Sequence, residues 1–388
     1  MIAHQESLSL YLHIPFCSKK CGYCAFYSEE QSCWEGKTEP YVDRLTHEIQ
    51  EVKAAYGKPF DTLFIGGGNP GSLSIAQLER LLDAAGNTGE TTFEINPETF
   101  TEEHIRLFES GKVQRLSMGI QSMEDETLKI LGRKARRADN IRALTLLKKL
   151  PSSTRISLDL MEGLPSQDWK ASQVDIDTVL SLSHPTHLSV YCLTLEEGTR
   201  LEREVTDGKV SIRQDDEMAP YLKKLWDYLE KKGFIHYEIS NFAQKGDACR
   251  HNMRYWNLEP YMGLGCTAAS TLRDKENHLL RLQVNQTIDS YINNNYFSGF
   301  ASERLRKSEE IEEYLLVALR TKEGINKNKF FNRFNISLDP VIRSSHTIKP
   351  EWIVNTPTQL SLSELGMLMS DTVILELSLV LDRIYPMC

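Results

Sequence analysis

The sequence lacks the features of membrane-spanning and secreted chains. None of its apolar runs approaches the roughly 20 residues that a transmembrane helix needs. Its first six residues contain neither the basic segment nor the apolar segment of a signal peptide. We therefore expect a cytoplasmic protein, in which the eight cysteines stay reduced and can bind metal rather than form disulfides.

Basic residues are scarce too. The 388-residue chain has 45 Lys and Arg against 54 Asp and Glu, which gives a net charge of −9. This balance argues against a general nucleic-acid-binding surface, which requires an excess of basic residues. The short basic run at residues 133–137 is typical of a solvent-exposed helix face. With 40% hydrophobic and 26% charged residues, the chain can form one large α/β domain and a smaller one.

Three cysteines are concentrated near the amino terminus. Cys17, Cys21 and Cys24 lie within eight residues, shortly after an apolar run at residues 8–14. Thiolate clusters of this density are typical of zinc and iron–sulfur sites. Three ligands would leave one iron of a cubane cluster open for chemistry, as in catalytic zinc sites. The alternatives are a loop of reduced thiols, or half of a zinc site whose fourth ligand lies elsewhere in the chain.

Six apolar runs alternate with helical patterns over the first 200 residues. They lie at residues 8–14, 62–66, 92–95, 115–120, 155–161 and 187–193. Such alternation predicts a parallel sheet with right-handed crossovers. Each run is followed by a polar or glycine-bearing segment. Because functional groups gather at the C-terminal ends of the strands in barrels of β/α units, we expect one shared site there.

The pattern changes after residue 200. We expect a long helix at residues 215–232, a short strand at 236–242 and a polar–aromatic loop at 249–256. A polar segment at 293–299 indicates a boundary, beyond which the chain is mostly helical with a winged-helix-like outline. The predicted domains are therefore a barrel core at residues 1–200, a barrel extension at 201–300 and a C-terminal helical domain at 301–388.

The spacing Cys-x3-Cys-x2-Cys resembles the signature of the radical S-adenosylmethionine (SAM) superfamily. Residues 10–17, Leu-Tyr-Leu-His-Ile-Pro-Phe-Cys, resemble more narrowly the oxygen-independent coproporphyrinogen III oxidase family. The resemblance implies an α/β fold, a partial (β/α)6 TIM-like barrel with a smaller, mostly helical C-terminal domain. It also implies that Cys17, Cys21 and Cys24 hold a [4Fe–4S] cluster whose fourth iron binds SAM. One electron from the reduced cluster would convert SAM into methionine and a 5′-deoxyadenosyl radical.

The resemblance extends to residues that contact SAM in the family. Residues 66–70, Gly-Gly-Gly-Asn-Pro, are similar to a Gly-Gly-Gly-Thr-Pro loop that meets the methionine end of SAM, with Asn69 in the threonine position. A guanidinium can bind a carboxylate through two parallel hydrogen bonds, and carboxylates accept hydrogen bonds from ribose hydroxyls. Each charged residue alone could equally form a surface salt bridge. The matching positions are Tyr11, Tyr23, Gly67, Gly68, Asn69, Glu94, Gln121, Arg133, Asp159 and Ala269.

Two features point to the haem-chaperone (HemW) branch of this family. Phe26 stands where the decarboxylating oxidase carries a further cysteine. The segment His251-Asn-Met-Arg-Tyr-Trp256 resembles the His-Asn-x-x-Tyr-Trp motif of the chaperone branch. This motif implies His251 as an axial haem ligand, with Tyr255 and Trp256 packing on the porphyrin. Cys249 is close enough to compete as the ligand, and a hydrogen-bonded loop histidine is the plain alternative.

The sequence therefore predicts a haem chaperone that binds a [4Fe–4S] cluster, SAM and haem, and that transfers haem to acceptor proteins. The rival is an oxygen-independent coproporphyrinogen III oxidase, which decarboxylates propionates with the deoxyadenosyl radical. A zinc-bound structural protein is the third interpretation, so whether the chain is an enzyme stays open. The expected partners are haem, haem-acceptor proteins and an electron donor for the cluster. We expect no nucleic acid and peripheral membrane contact at most, and the chaperone branch implies a homodimer.

Overall fold

The first half of the chain alternates strands and helices, as the sequence predicts. The computed structural model describes residues 2–165, 167–213, 215–294 and 300–386. Each of the six predicted strands is present, and each end lies within one residue of the prediction. The elements up to residue 192 are β1 (Ser9–Ile14), β2 (Phe16–Cys17), β3 (Glu29–Glu30), α1 (Gln31–Trp34), α2 (Thr38–Tyr56), β4 (Leu63–Gly67), α3 (Ile75–Ala85), β5 (Thr91–Ile95), α4 (Glu102–Glu109), β6 (Arg115–Gln121), α5 (Asp125–Ile130), α6 (Arg137–Leu146), β7 (Arg155–Glu162), α7 (Trp169–Ser183) and β8 (His187–Cys192).

Local sequence explains the helices between these strands, and α3 is an example. The Ser74 hydroxyl accepts from the backbone N–H of Gln77 (3.3 Å), and the Gln77 side chain accepts from the Ser74 N–H (3.0 Å). This reciprocal pair satisfies two amide groups that would otherwise lack partners at the helix start. Leu78, Leu81 and Leu82 then lie on one buried face of the helix, which packs on the sheet.

The middle of the chain departs from the prediction at two places. Its elements are α8 (Arg200–Thr206), α9 (Asp215–Lys231), β9 (Ile235–Glu238), β10 (Asn241–Ala243), α10 (Arg250–Trp256), β11 (Tyr261–Leu264), β12 (Ala269–Arg273), β13 (Leu279–Val284), α11 (Ile288–Asn293) and β14 (Phe300–Arg304). The predicted strand at 236–242 is wrong, because this segment is the antiparallel pair of β9 and β10. Of the predicted boundary segment at 293–299, residues 295–299 lie outside the described residues.

The predicted loop at residues 249–256 is also wrong, because this segment forms helix α10. The backbone N–H of Arg250, at the start of this helix, donates to the buried carboxylate of Glu90 (3.0 Å). Helix starts are usually capped by a side chain close in sequence. Glu90 precedes Arg250 by 160 positions, so this cap leaves no signal in the local sequence.

A sheet of twelve strands joins both regions, in the order β14-β13-β12-β11-β1-β4-β5-β6-β7-β8-β10-β9. The strands from β11 to β8 are parallel, so β11 adds a seventh parallel strand to the six that the sequence predicts. Strand β1 lies between β11 and β4, with Leu10 paired to both Met262 and Leu63. The C-terminal ends of the parallel strands therefore lie on one side of the molecule.

The C-terminal region is mostly helical, as predicted, and carries a small sheet of its own. Its elements are α12 (Lys307–Ala318), β15 (Ile325–Asn326), α13 (Lys327–Phe334), α14 (Leu338–Ser344), β16 (Ile353–Asn355), β17 (Gln359–Leu362), α15 (Glu364–Leu368) and α16 (Ser370–Ile384). The small sheet has the order β15-β17-β16. Phe330 and Leu377 of this region belong to the same continuous apolar core as Leu10 of β1. Within the described ranges, no helix has the length and apolar character to cross a membrane.

Candidate functional site

A cavity of about 600 Å³ lies at the C-terminal ends of the parallel strands. We call it the strand-end cavity. It is the position at which barrels of β/α units collect their functional groups. Ten of the predicted site residues line this cavity: Cys17, Cys21, Tyr23, Cys24, Gly67, Gly68, Glu94, Gln121, Arg133 and Asp159.

Contacts on both flanks hold the cysteine loop against this cavity. The indole N–H of Trp34 donates to the carbonyl of Cys17 (3.0 Å). Further along the loop, the N–H of Gly22 donates to the carbonyl of Leu131 (2.8 Å). Tyr23, between the second and third cysteines, packs in a small apolar cluster that includes Leu131. Contacts with neighbouring residues therefore hold the cysteine loop in place, and no bond between the thiols is needed.

The glycine loop after β4 lies next to the cysteine loop. The N–H of Gly68 donates to the carbonyl of Ile14 (2.8 Å), which precedes the cysteines. Gly67 has a φ of +110°, and a Cβ at this position would lie 2.6 Å from Nδ1 of His13. Both the backbone conformation and the space therefore require glycine at position 67. The absence of side chains lets this loop lie against His13 and the backbone that precedes the cysteines.

Asn69 does not line the strand-end cavity, although the resemblance placed it beside SAM. Its side chain is buried, and its carbonyl oxygen accepts from the backbone N–H of Asn96 (3.1 Å) and of Gly71 (3.3 Å). Its amide donates to the Thr99 hydroxyl (3.2 Å). Asn69 therefore ties the loop after β4 to the loop after β5, which is a structural role.

Arg133 connects three walls of the cavity. Its Nη2 donates to the carbonyl of Gly119 (2.7 Å) and to Oδ1 of Asn96 (3.1 Å), and its Nη1 lies 3.6 Å from Sγ of Cys21. The side chain is buried, and its Nε has no hydrogen-bond partner among the described residues. A buried donor without a partner is unfavourable unless a ligand satisfies it. The guanidinium is therefore suited to an anionic group that enters this cavity.

Two half-buried carboxyl groups, Glu94 and Asp159, also line the cavity. Burial, together with the nearby charge of Asp159, raises the pKa of Glu94 to about 8. Burial also raises the pKa of Asp159 to about 6, although the Ser117 hydroxyl donates to its Oδ1 at 3.3 Å. Like charges in a low-dielectric site oppose joint ionisation. The pair can therefore hold one proton near neutral pH and can accept hydrogen bonds from hydroxyl or ammonium groups.

Gln121 has a strained backbone at the edge of the same cavity. Its φ is +66°, in a region that residues other than glycine rarely adopt. The pairing of β6 with β7 shifts register between Gly119 and Gln121, so a bulge turns the end of β6. Strain of this kind is often found at functional sites. The bulge directs the Gln121 side chain into the cavity wall.

The residues present fit the cluster and the SAM that the resemblance implies. The three cysteines are free thiols at one cavity, and the Arg133 side chain lines the same cavity beside Cys21. The site residues predicted from the sequence did not include Tyr191 and Cys192, which lie at the end of β8 and also line the cavity. Their position at a strand end was the signal that could have identified them.

A second cavity of about 410 Å³ adjoins the first, and we call it the aromatic cavity. It shares Phe26, Gly67 and Glu94 with the strand-end cavity. Phe26 is 72% exposed at this junction. Tyr11 and Ala269, which the resemblance placed beside SAM, lie here instead. The full lining is Tyr11, His13, Phe26, Tyr27, Phe64, Gly67, Glu94, Tyr255, Tyr261, Thr267, Ala268 and Ala269.

Helix α10, which carries the His251 motif, covers the other end of the strands. Its Arg250 N–H donates to Glu90, which directly precedes β5. Its Arg254 donates to Asp61, which lies just before β4 (2.9 Å). The cysteine loop, by contrast, follows the C-terminal end of β1. The thiols and the His251 helix therefore lie at opposite ends of the parallel strands.

His251 is fully buried, and both of its ring nitrogens have partners. Nδ1 lies 2.7 Å from the Thr62 hydroxyl, and Nε2 lies 2.8 Å from the Tyr255 hydroxyl. Burial lowers the pKa of His251 to about 3, so the imidazole is neutral. Cys249, the competing ligand candidate, is also buried, at 2% exposure. His251 therefore has the contacts of a hydrogen-bonded histidine, which is the alternative to an axial haem ligand.

Comparison with known proteins agrees with the geometry of the strand-end cavity. Residues 11–173 match the radical SAM superfamily. The chain is 32% identical over 348 residues to the heme chaperone HemW of Bacillus subtilis (strain 168), covering 87% of this chain and 89% of that protein. It is 34% identical over 288 residues to the heme chaperone HemW of Escherichia coli (strain K12), covering 71% and 72%.

A solved structure supports the same fold. The coproporphyrinogen III oxidase HemN from Escherichia coli, described as a radical SAM enzyme, aligns with a TM-score of 0.78 at 20% identity, covering 97% of this chain and 90% of that chain. At this level of identity, the likeness concerns the fold alone. Sequence identity above 30% over most of the chain is the stronger finding. The chain therefore belongs to the HemW family of radical SAM proteins.

Proposed function

We propose that this chain is a haem chaperone that binds a [4Fe–4S] cluster, SAM and haem, and passes haem to acceptor proteins. The observation that carries the proposal is its relation to proteins named heme chaperone HemW, which cover 87% of the chain in one case and 71% in another. The strand-end cavity supports it with three free thiols and a buried cation.

The roles of the cavity residues follow from their chemistry. Cys17, Cys21 and Cys24 would hold the cluster, which when bound supplies the electron for cleavage of SAM. Arg133 would bind the SAM carboxylate, because its side chain lines the cavity beside Cys21 and carries a positive charge. Asp159 and Glu94, with Gln121 nearby, would accept hydrogen bonds from the ribose hydroxyls and the ammonium group. Gly67 and Gly68 line the cavity and would meet the methionine end through their backbone.

Haem binding at His251 forms part of the proposal and depends on a rearrangement. The imidazole is neutral, which is the protonation state that binds iron. Its Nε2 is nevertheless in a hydrogen bond with Tyr255. Ligation of haem therefore requires that Tyr255 move away from the ring. We also propose a cluster-reducing protein as partner, a homodimer as the functional unit and cytoplasmic location.

The rival function is oxygen-independent coproporphyrinogen III oxidase activity. The position where that enzyme carries a further cysteine is Phe26, whose ring lines both cavities. An apolar ring cannot supply the thiol that this position has in the oxidase. The chaperone is therefore the better supported function.

The test is anaerobic reconstitution with iron, sulfide and haem, followed by absorption spectra and an assay of SAM cleavage. We expect a Soret band from bound haem together with the cluster absorption. Coproporphyrinogen III should not increase the formation of 5′-deoxyadenosine. Protoporphyrinogen formed together with 5′-deoxyadenosine would overturn the chaperone in favour of the oxidase. Purification with zinc in place of iron and sulfide would favour a structural zinc protein.

A further inference from the structure

Two oxygen acceptors fix the direction of the Arg133 guanidinium. Both accept from Nη2, which donates to the carbonyl of Gly119 (2.7 Å) and to Oδ1 of Asn96 (3.1 Å). Nη1 lies beside Sγ of Cys21 (3.6 Å). A terminal nitrogen of arginine has two hydrogens, so these two bonds use both of them and hold the planar group in one orientation.

The two acceptors differ in what holds them in place. The Gly119 carbonyl belongs to β6, which lies between β5 and β7 in the sheet. Asn96 directly follows the end of β5, and its side chain accepts from a loop position that lines the strand-end cavity. The orientation of Arg133 therefore depends on the contacts that fix Asn96.

The buried side chain of Asn69 makes those contacts. Its Oδ1 accepts from the N–H of Asn96 (3.1 Å), and its Nδ2 donates to the Thr99 hydroxyl (3.2 Å). The Thr99 hydroxyl in turn donates to the carbonyl of Asn96 (3.0 Å). Both backbone groups of Asn96 are thus tied, directly or through Thr99, to a side chain that does not itself line the cavity.

A side chain with a single polar atom could not make this set of contacts. The amide of Asn69 has its acceptor and its donor on separate atoms, and each makes a different bond. The hydroxyl of a threonine is attached directly to Cβ, so it reaches one bond less far and has one hydrogen. Asn69→Thr should therefore loosen Asn96 without replacing any residue of the cavity lining.

We infer that Asn69 and Asn96 are positioning residues for SAM, because Asn69 fixes Asn96 and Asn96 orients the guanidinium proposed to bind the SAM carboxylate. The inference deepens the proposed function and rests on it. A residue outside the cavity thus sets the affinity for SAM through a chain of hydrogen bonds, and no covalent bond forms or breaks.

The experiment is a double-mutant cycle, in which calorimetry measures the SAM affinity of the full-length, cluster-reconstituted protein. Asn69→Thr and Asn96→Ala should each weaken SAM binding about fivefold, as the loss of one hydrogen bond predicts. In an Arg133→Lys background, the same changes should alter the affinity by less than about twofold, because their effect passes through the guanidinium. Effects of equal size in both backgrounds would overturn the inference and leave the proposed function standing.

Gln5→Ala is the matched control, since it also removes a buried amide that joins distant segments. The Gln5 amide donates to the carbonyl of Arg273 (2.7 Å) and accepts from its N–H (3.2 Å), and Gln5 does not line the strand-end cavity. This variant should leave SAM affinity unchanged. A loss as large as that of Asn69→Thr would show that the effect is not specific to Arg133, and would overturn the inference.

A second measurement needs neither the cluster nor SAM. Nitrogen NMR of the cluster-free protein, labelled with 15N-arginine, should show slow rotation of the Arg133 guanidinium, whose signal is identified by its absence from Arg133→Lys. Rotation should be faster in Asn69→Thr and Asn96→Ala, and equal rotation in the wild type and both variants would overturn the inference. A wild type that holds the cluster but binds no SAM would overturn the proposed function, and this inference with it.

Discussion

Sγ of Cys21 lies 3.6 Å from Nη1 of Arg133, although 112 positions separate the two residues. The other terminal nitrogen of the same guanidinium donates to the ends of β5 and β6 through Asn96 and Gly119. One side chain thus joins the cysteine loop to the region where the SAM carboxylate is proposed to bind. A change at Arg133 should therefore affect both SAM binding and the surroundings of the Cys21 thiol.

Arg133→Lys keeps the positive charge and removes the planar donor group. We expect SAM affinity to fall by about tenfold, because a lysine cannot reproduce hydrogen bonds from several nitrogens in fixed directions. Isothermal titration with SAM on the reconstituted protein measures this. Arg137→Lys is the control, since its guanidinium donates to the Met123 carbonyl (2.8 Å) outside the cavity. Equal SAM affinity in the wild type and Arg133→Lys would contradict the assignment.

Removal of single thiols tests the proposed cluster. Cys17→Ser, Cys21→Ser and Cys24→Ser should each lose most of the iron and acid-labile sulfide after anaerobic reconstitution, because each supplies one of three ligands. Iron and sulfide analysis per chain is the measurement. Cys33→Ser is the matched control, since Cys33 is an exposed cysteine that does not line the cavity. Full iron content in any of the first three variants would rule out that cysteine as a ligand.

Gly67→Ala tests the close approach of the glycine loop. At a φ of +110° the methyl group would meet the His13 ring at 2.6 Å, so we expect a loss of more than about 2 kcal/mol of unfolding free energy. Gly57→Ala separates strain from crowding, because Gly57 has a φ of +72° and no atom within 4 Å of the place its methyl group would take. That variant should lose only about 1 kcal/mol. Urea denaturation of both proteins gives the comparison, and equal losses would show that the His13 contact is unimportant.

The carboxyl of Glu94 should make stability depend on pH. Burial raises its pKa from 4.5 to about 8, so between these values the folded protein keeps a proton that the unfolded chain releases. The stabilisation is complete below pH 4.5 and is lost as the pH rises through about 8. We therefore expect the Glu94 carboxyl to lower the melting temperature of the cluster-free protein, relative to a variant without it, as the pH rises from 5 to 8.

Glu94→Gln should flatten that decline, because a glutamine does not titrate. Glu109→Gln, at an exposed position of α4, should leave it unchanged. Thermal denaturation at several pH values is sufficient for the comparison. A difference in melting temperature between the wild type and Glu94→Gln that stays constant from pH 5 to pH 8 would contradict this effect.

The sequence predicted the parts of the structure that depend on local pattern. Alternating apolar runs identified the six strands, and the rule on strand ends placed Glu94 and Asp159 in one cavity. The sequence could not predict helix α10, because the group that accepts from the N–H of Arg250 at its start is Glu90, far away in the chain. Nor could it predict that Asn69 faces the loop after β5, since that depends on how two loops pack. In both cases, contacts between distant segments of the chain, rather than residue type, determine the local structure.

The position of β1 in the middle of the sheet has a consequence for the order of folding. One edge of β1 pairs with β4, but the other pairs with β11, where Ser9 lies opposite Tyr261. Synthesis of the intervening chain takes on the order of 10–50 s at ordinary translation rates. During that time, the strand that leads into the cysteine loop exposes a row of unpaired backbone groups. Partner strands that far apart in the chain also predict slow folding. The thiols therefore emerge early, while β11, the second neighbour of the strand that positions them, is complete only at residue 264.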